Sequence, residues 1–228
     1  MKVNTHPGYV LSMTGIHGAG KGTLRNGLVA HRGFSADDLK VFALGRMLDA
    51  EGLWTCRENA KEQNRRAMAI ALRGERAVTS RLGLLDVAIY GRVMQRWGKI
   101  ADADVDSLLA AIRADLASDY VLPSALVALV CQPEALQERL LARDANAGKA
   151  ASRGQKALAR MVAALSEIYA GEVSIDPLVD EVLDHYRSQE RFVLIDTSSV
   201  GIEVLRADVV AFLERSGLMS QPGDPRAG

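Results

Sequence analysis

The stretch "MTGIHGAGKGTL", residues 13–24, decides how the chain is read. It completes an apolar run, "YVLSMTG" (9–15), and opens into "LRNGLVAH", whose spacing is helical. Gly15, Gly18 and Gly20 permit tight backbone turns and close approach of N–H groups to an anion. The helix start beyond them adds unpaired donors and the positive end of a dipole. Lys21 supplies a point charge for outer phosphates, and Thr23 or Thr14 offers a hydroxyl to a Mg²⁺ shell. A glycine-rich turn with no ligand is the plain alternative, and the complete strand–loop–helix context argues against it. Gly15, His17, Gly18, Ala19, Gly20, Lys21, Gly22 and Thr23 are therefore the candidate nucleotide contacts. His17 reads equally as a solvated loop histidine. Gly22 stands where the common pattern G-x-x-x-x-G-K-[ST] has a hydroxyl.

Outward from this loop, five apolar runs alternate with helical patterns. The runs are 9–15, "LKVFALG" (39–45), "RAVTSR" (76–81), "ALVALVCQ" (125–132) and "RFVLIDTS" (191–198). The helical segments are 21–31, 57–73, 83–97, 104–117, 133–143, 149–170 and 202–215. Such alternation predicts an α/β fold with a parallel sheet covered on both faces. With 228 residues, one core accommodates the whole chain, so a single domain over 1–228 is expected. The 28 basic and 28 acidic residues balance, which argues against nucleic acid or an anionic membrane as partner. Cys56 and Cys131 are far apart and form no metal-ligand spacing. No signal peptide and no apolar run of membrane length is visible, so a cytoplasmic protein is expected.

"GIHGAGKGT" resembles the nucleoside monophosphate kinases, in which adenylate and cytidylate kinases carry G-x-x-G-x-G-K-G-T. The resemblance accounts for Gly22. It implies a three-layer P-loop kinase fold: a five-stranded parallel sheet in the order 2-3-1-4-5, helices on both faces and a helical lid. It further implies transfer of the γ-phosphoryl group of ATP, with Mg²⁺, to a nucleotide phosphate, by a monomer or homodimer.

Two acceptor-side stretches extend it. "FALGRMLDAEGLWTCRENAKEQNRR" (42–66) is similar in outline to the archaeal adenylate kinase pattern, which implies an acceptor-binding insert over about 43–73. Arg57 is then the acceptor-phosphate ligand, and Arg46 stands where that pattern usually has an acid. "VTSRLGLLDVAIYGR" (78–92) resembles the D-R-x-x-x-S/D-x-x-x-Y region of thymidylate kinases and the E-R-S of deoxynucleoside kinases. Arg81 matches their phosphate-contacting arginine. Asp86 and Tyr90, four apart on one helix face, are candidates to line the acceptor pocket, with ordinary helix-to-sheet packing the alternative for Tyr90. Ser80 departs from the pattern, since those families place a carboxylate there, and a serine reaches a metal only through water.

After the fourth run, "R-x-x-x-R" sets Arg139 and Arg143 on one helix face. In the resembling kinases this helix and its loop, here about 139–156, form the lid that brings positive charge to the transferring phosphate. The alternative is an exposed basic helix paired with Glu134, Glu138 and Asp144.

The expected catalytic residues are thus Lys21, Arg81, Arg139 and Arg143. Arg46, Arg57, Arg81, Asp86 and Tyr90 are expected to bind the acceptor, and Thr23 and Ser80 to hold the metal. Two other readings stay open: a kinase for a nucleoside or another small hydroxyl compound, and a nucleotide-binding regulatory protein with weak or no catalysis.

Overall fold

The computed structural model describes residues 1–4, 6–16, 18–36, 49–80, 83–146 and 155–219. Strand β1 (Lys2–Val3) precedes β2 (Tyr9–Gly15), α1 (Lys21–Arg32), β3 (Phe34–Ser35), α2 (Ala50–Leu72) and β4 (Arg76–Thr79). There follow α3 (Leu84–Arg96), α4 (Asp102–Ser118), β5 (Val121–Leu122), β6 (Ala125–Val130) and α5 (Pro133–Asn146). The chain continues through α6 (Gln155–Ala170), α7 (Pro177–Ser188), β7 (Phe192–Asp196) and α8 (Ile202–Arg215).

The main sheet has the order β3-β4-β2-β6-β7, and every pairing in it is parallel. Counted along the chain, that is the expected 2-3-1-4-5. The second strand, however, is Phe34–Ser35, ahead of the expected 39–45, which lies outside the described residues. Tyr9 packs edge-on against Phe34 there, with ring centroids 5.7 Å apart. A separate two-stranded pairing of β1 with β5 was not expected, because two-residue strands leave no periodic signature.

All seven residues of β2 are buried, as are all six of β6, which is why these runs are apolar without alternation. On β2, Val10 packs with Ala67, Met68, Ile70 and Ala71 of α2. Four positions along and on the same side of the pleat, Thr14 meets α3 and α6. Helices α1 and α8 pack on each other.

Two helix starts show how local chemistry sets boundaries. Asp49 caps α2 by accepting from Gly52 N at 2.7 Å, so the helix begins well before the expected residue 57. Asp176 caps α7, accepting from Leu178 N at 2.8 Å with Pro177 in the first turn. Helix α7 was not expected from the sequence. Among the described residues, no helix is long and apolar enough to cross a membrane.

Candidate functional site

The loop between β2 and α1 lies at the carboxyl end of the central strand, where parallel α/β sheets bind ligands. Gly15 has φ +110°, and a Cβ there would stand 2.0 Å from the carbonyl oxygen of Leu129 on the neighbouring strand. Only glycine fits. Gly20 adopts a left-handed conformation as the N-cap of α1, which leaves the first N–H groups of that helix facing the cleft without a side-chain cap.

Lys21 Nζ folds back onto this loop, donating to the carbonyls of Gly15 at 2.5 Å and Ile16 at 2.9 Å. Burial pulls its pKa down to about 8, and the negative charge of Asp86 offsets part of that fall. The ammonium is thus held in a poorly hydrated position, where an arriving phosphate interacts with it more strongly than in water.

A cleft of about 610 Å³ opens in front of the loop. Gly18, Ala19, Gly20, Lys21, Gly22 and Thr23 form one side of it. Ser80, just past the end of β4, forms part of the wall, and Arg139 with Leu140 of α5 closes another side. Thr197, Val200, Ile202 and Leu205 complete the described lining. Glycine at position 18 allows α5 to approach, since a Cβ would meet Leu136 Cδ1 at 2.6 Å.

Arg139 is committed within this structure. Its guanidinium donates to Thr197 Oγ1 at 3.0 Å and to the Thr197 carbonyl. Thr197, 1% exposed, donates in turn to the carbonyls of Ala19 at 3.1 Å and Val130 at 3.0 Å. The turn after the last strand is therefore bonded to both α5 and the phosphate loop. Asp196 accepts from Ser198 N at 2.9 Å and stabilises that turn.

Asp86 and Tyr90 share one face of α3 as expected, but that face points inward. Asp86 is 4% exposed and Tyr90 2%, and neither lines the described cleft. The Asp86 carboxylate accepts from the Thr14 hydroxyl, from Gly83 N at 3.0 Å and from the Tyr169 hydroxyl at 3.2 Å. Burial raises the Asp86 pKa against the opposing effect of these donors and of Lys21. Burial, with Asp86 nearby, likewise raises that of Tyr90. Thr14, occupied by Asp86 and Tyr169, is not in the cleft, so Thr23 is the loop hydroxyl that faces it.

Arg57 is also drawn elsewhere. It pairs with Asp115 of α4 at 2.6 Å and with Glu58 at 2.5 Å, and its guanidinium lies 5.3 Å from the centre of the Trp54 ring. Lys61 joins the same carboxylate at 2.9 Å. Asp115 is 6% exposed, and a buried carboxylate recruits whatever cations neighbour it. His17, Arg46 and Arg81 lie outside the described residues, as does 147–154 of the expected lid. Arg143 falls one turn beyond Arg139 within α5, and its side chain is outside the described atoms. Thr197 and Tyr169 were not singled out from the sequence.

Comparison with solved structures gives likenesses of fold. The chain resembles a deoxyadenosine kinase from M. mycoides with the products dCMP and a flexible dCDP bound, at a TM-score of 0.66 and 13% identity. That likeness covers 90% of this chain and 99% of the other. It also resembles the thymidylate kinase of Candida albicans at a TM-score of 0.63 and 13% identity, over 94% and 95% of the two chains. The dATP-bound form of the M. mycoides enzyme gives 0.59 and 12%, over 90% and 98%. The architecture is that of the P-loop nucleoside and nucleotide kinases. No curated protein matches the sequence. A family model described as an AAA domain matches residues 12–160, from the central strand into α6. That is more than half of the chain, and the protein belongs to this family.

Proposed function

We propose that the protein is an ATP-dependent kinase that transfers the γ-phosphoryl group to a nucleoside monophosphate, giving ADP and a nucleoside diphosphate. The observation that carries this reading is the make-up of the cleft: the phosphate loop and Lys21 face Ser80 in the wall. A hydroxyl acceptor must lose a proton as it attacks and gains from a carboxylate base at that position. The oxygen of a monophosphate arrives already anionic, so a serine suffices.

In this reading the loop N–H groups and the start of α1 hold the β- and γ-phosphates, and Lys21 neutralises charge that builds on the bridging oxygen. The guanidinium of Arg139, fixed against Thr197, offers a flat cation for the donor base, and Leu140, Val200, Ile202 and Leu205 offer an apolar wall. Arg46 and Arg81 are assigned to the acceptor phosphate and Arg143 to the transferring group, as the kinase resemblance implies, with the acceptor insert at about 43–73.

Mg²⁺ fits the residues present. Among the described residues no cluster of three His, Cys, Asp or Glu side chains could hold a metal alone. The cleft does place the Thr23 and Ser80 side chains beside the loop, and Mg²⁺ typically takes one or two protein oxygens together with substrate phosphates and water. When bound, it would screen the charge of the phosphates.

The fold likeness to deoxyadenosine kinase favours a second reading, in which a nucleoside is the acceptor. A coupled ADP-release assay over nucleosides, monophosphates and other small hydroxyl compounds decides between them. Turnover with monophosphates is expected. Turnover with a nucleoside while monophosphates stay inert overturns the first reading, and ATP binding without turnover on any acceptor overturns both in favour of a regulatory protein.

A further inference from the structure

Behind the cleft, three segments meet at one carboxylate. Thr14 is the penultimate residue of β2, next to Gly15, where the phosphate loop begins. Gly83 lies three residues past Ser80, at the start of α3. Asp86 takes the Thr14 hydroxyl on one oxygen and the Gly83 N–H on the other, so a single side chain joins the root of the donor loop to the start of α3. The third segment is α6. Tyr169, in its last turn and 1% exposed, brings its hydroxyl within 2.5 Å of Thr14 Oγ1 and donates to Asp86 at 3.2 Å. The tyrosine is itself held, since its carbonyl accepts from Arg187 at 2.8 Å.

We propose that Tyr169 is a positioning residue for phosphoryl transfer: with Asp86 it fixes Thr14, and so holds the phosphate loop in register with the start of α3. The inference rests on the kinase reading above. Packing alone explains the aromatic ring but not the hydroxyl, because phenylalanine would fill the same space. A buried network in which each donor is matched fixes one arrangement, and losing one donor leaves the carboxylate free to reorient and Thr14 with it. Displacements of about 1 Å at reacting groups cost roughly 100-fold in rate when transfer depends on alignment. Tyr186 supplies the contrast. It is 4% exposed and donates to the Pro123 carbonyl at 3.0 Å, away from the loop.

The test compares Tyr169→Phe with Tyr186→Phe in the full chain. With ATP and the best acceptor of the panel, Tyr169→Phe is expected to lower kcat by about 10- to 100-fold while both KM values stay within about threefold. Tyr186→Phe is expected to lower the thermal midpoint and leave kcat within about twofold. Unchanged kcat in Tyr169→Phe, or equal losses of kcat in the two variants, overturns the proposal. A second arm needs no catalysis: amide hydrogen exchange over residues 10–24 and 80–86. Faster exchange in both stretches for Tyr169→Phe, and in neither for Tyr186→Phe, supports the role; no change in Tyr169→Phe overturns it. If the wild type phosphorylates nothing, the kinase reading falls and the exchange arm alone decides the tether.

Discussion

Partial burial of Lys21 against its own loop makes its protonation state sensitive to mildly alkaline pH, and ATP should reverse that sensitivity. The pKa of the free protein is pulled down to about 8, from an ordinary 10.5. Polyphosphate brought against the ammonium restores it to the ordinary lysine range or above, since an opposite charge within a few ångströms favours the protonated form. Binding therefore takes up protons wherever the free lysine is partly neutral and the bound one is not. With a free pKa near 8, about a quarter of the lysine is neutral at pH 7.5 and about nine tenths at pH 9. Uptake should rise from roughly 0.25 to 0.9 proton per ATP over that interval, in a range where the phosphates of ATP no longer titrate appreciably. Calorimetric titration in buffers of differing ionisation enthalpy measures it directly. Lys21→Arg, whose charge does not titrate in this range, should abolish the rise. Binding heats that show no buffer dependence at pH 9, or the same uptake in Lys21→Arg, would refute the placement of Lys21 as the half-buried cation that meets the phosphates. The sign for stability follows as well. Because the folded pKa lies below the unfolded one, the protonated lysine opposes folding at neutral pH, and the nucleotide-free protein gains stability as pH rises from about 8 toward 10.5.

Two arginine substitutions separate structural from ligand roles. Arg57→Ala strips one of two cations from buried Asp115 and leaves Lys61 in place. The loss should be about 2 kcal/mol, below the cost of orphaning a buried charge completely. A thermal midpoint lower by about 5 °C, with acceptor KM within about threefold, is expected; a tenfold rise in KM without a thermal shift would restore Arg57 to the acceptor site. Arg139→Ala releases the turn at Thr197 and removes the flat cation of the cleft, so the ATP Kd should rise about tenfold while acceptor KM is unchanged. Equal ATP affinity in this variant would show that the arginine only packs.

The sequence made the phosphate loop legible because its chemistry is local: strand, glycines, lysine and helix start follow one another without interruption. The alternation of buried runs with helices pointed to a parallel sheet covered on both faces, whereas its strand order came from the kinase resemblance. Asp86 and Tyr90 show the limit of periodicity, which tells which residues share a helix face but not what that face meets. Their face turned inward, toward Thr14 and Tyr169. The Arg57 partner, Asp115, lies on a helix that nothing in the local pattern ties to α2. Tyr169 and Thr197 were invisible for the same reason, since their contacts reach across 155 and 178 residues. The strand at Phe34–Ser35 is too short to leave a pattern, whereas the apolar run at 39–45 advertises one.

The bond from Thr197 to the carbonyl of Ala19 has a consequence for the order of events during synthesis. The phosphate loop leaves the ribosome ahead of the residue that braces it, which follows 178 positions later. At about 5–20 residues per second, the loop waits roughly 10–40 seconds for its support. A nascent chain halted before β7 carries every glycine of the motif and its lysine, but lacks the turn that closes the far side of the cleft. In the kinase reading proposed above, nucleotide capture would await the docking of the last strand, and ATP would stabilise chains that carry it over chains that lack it.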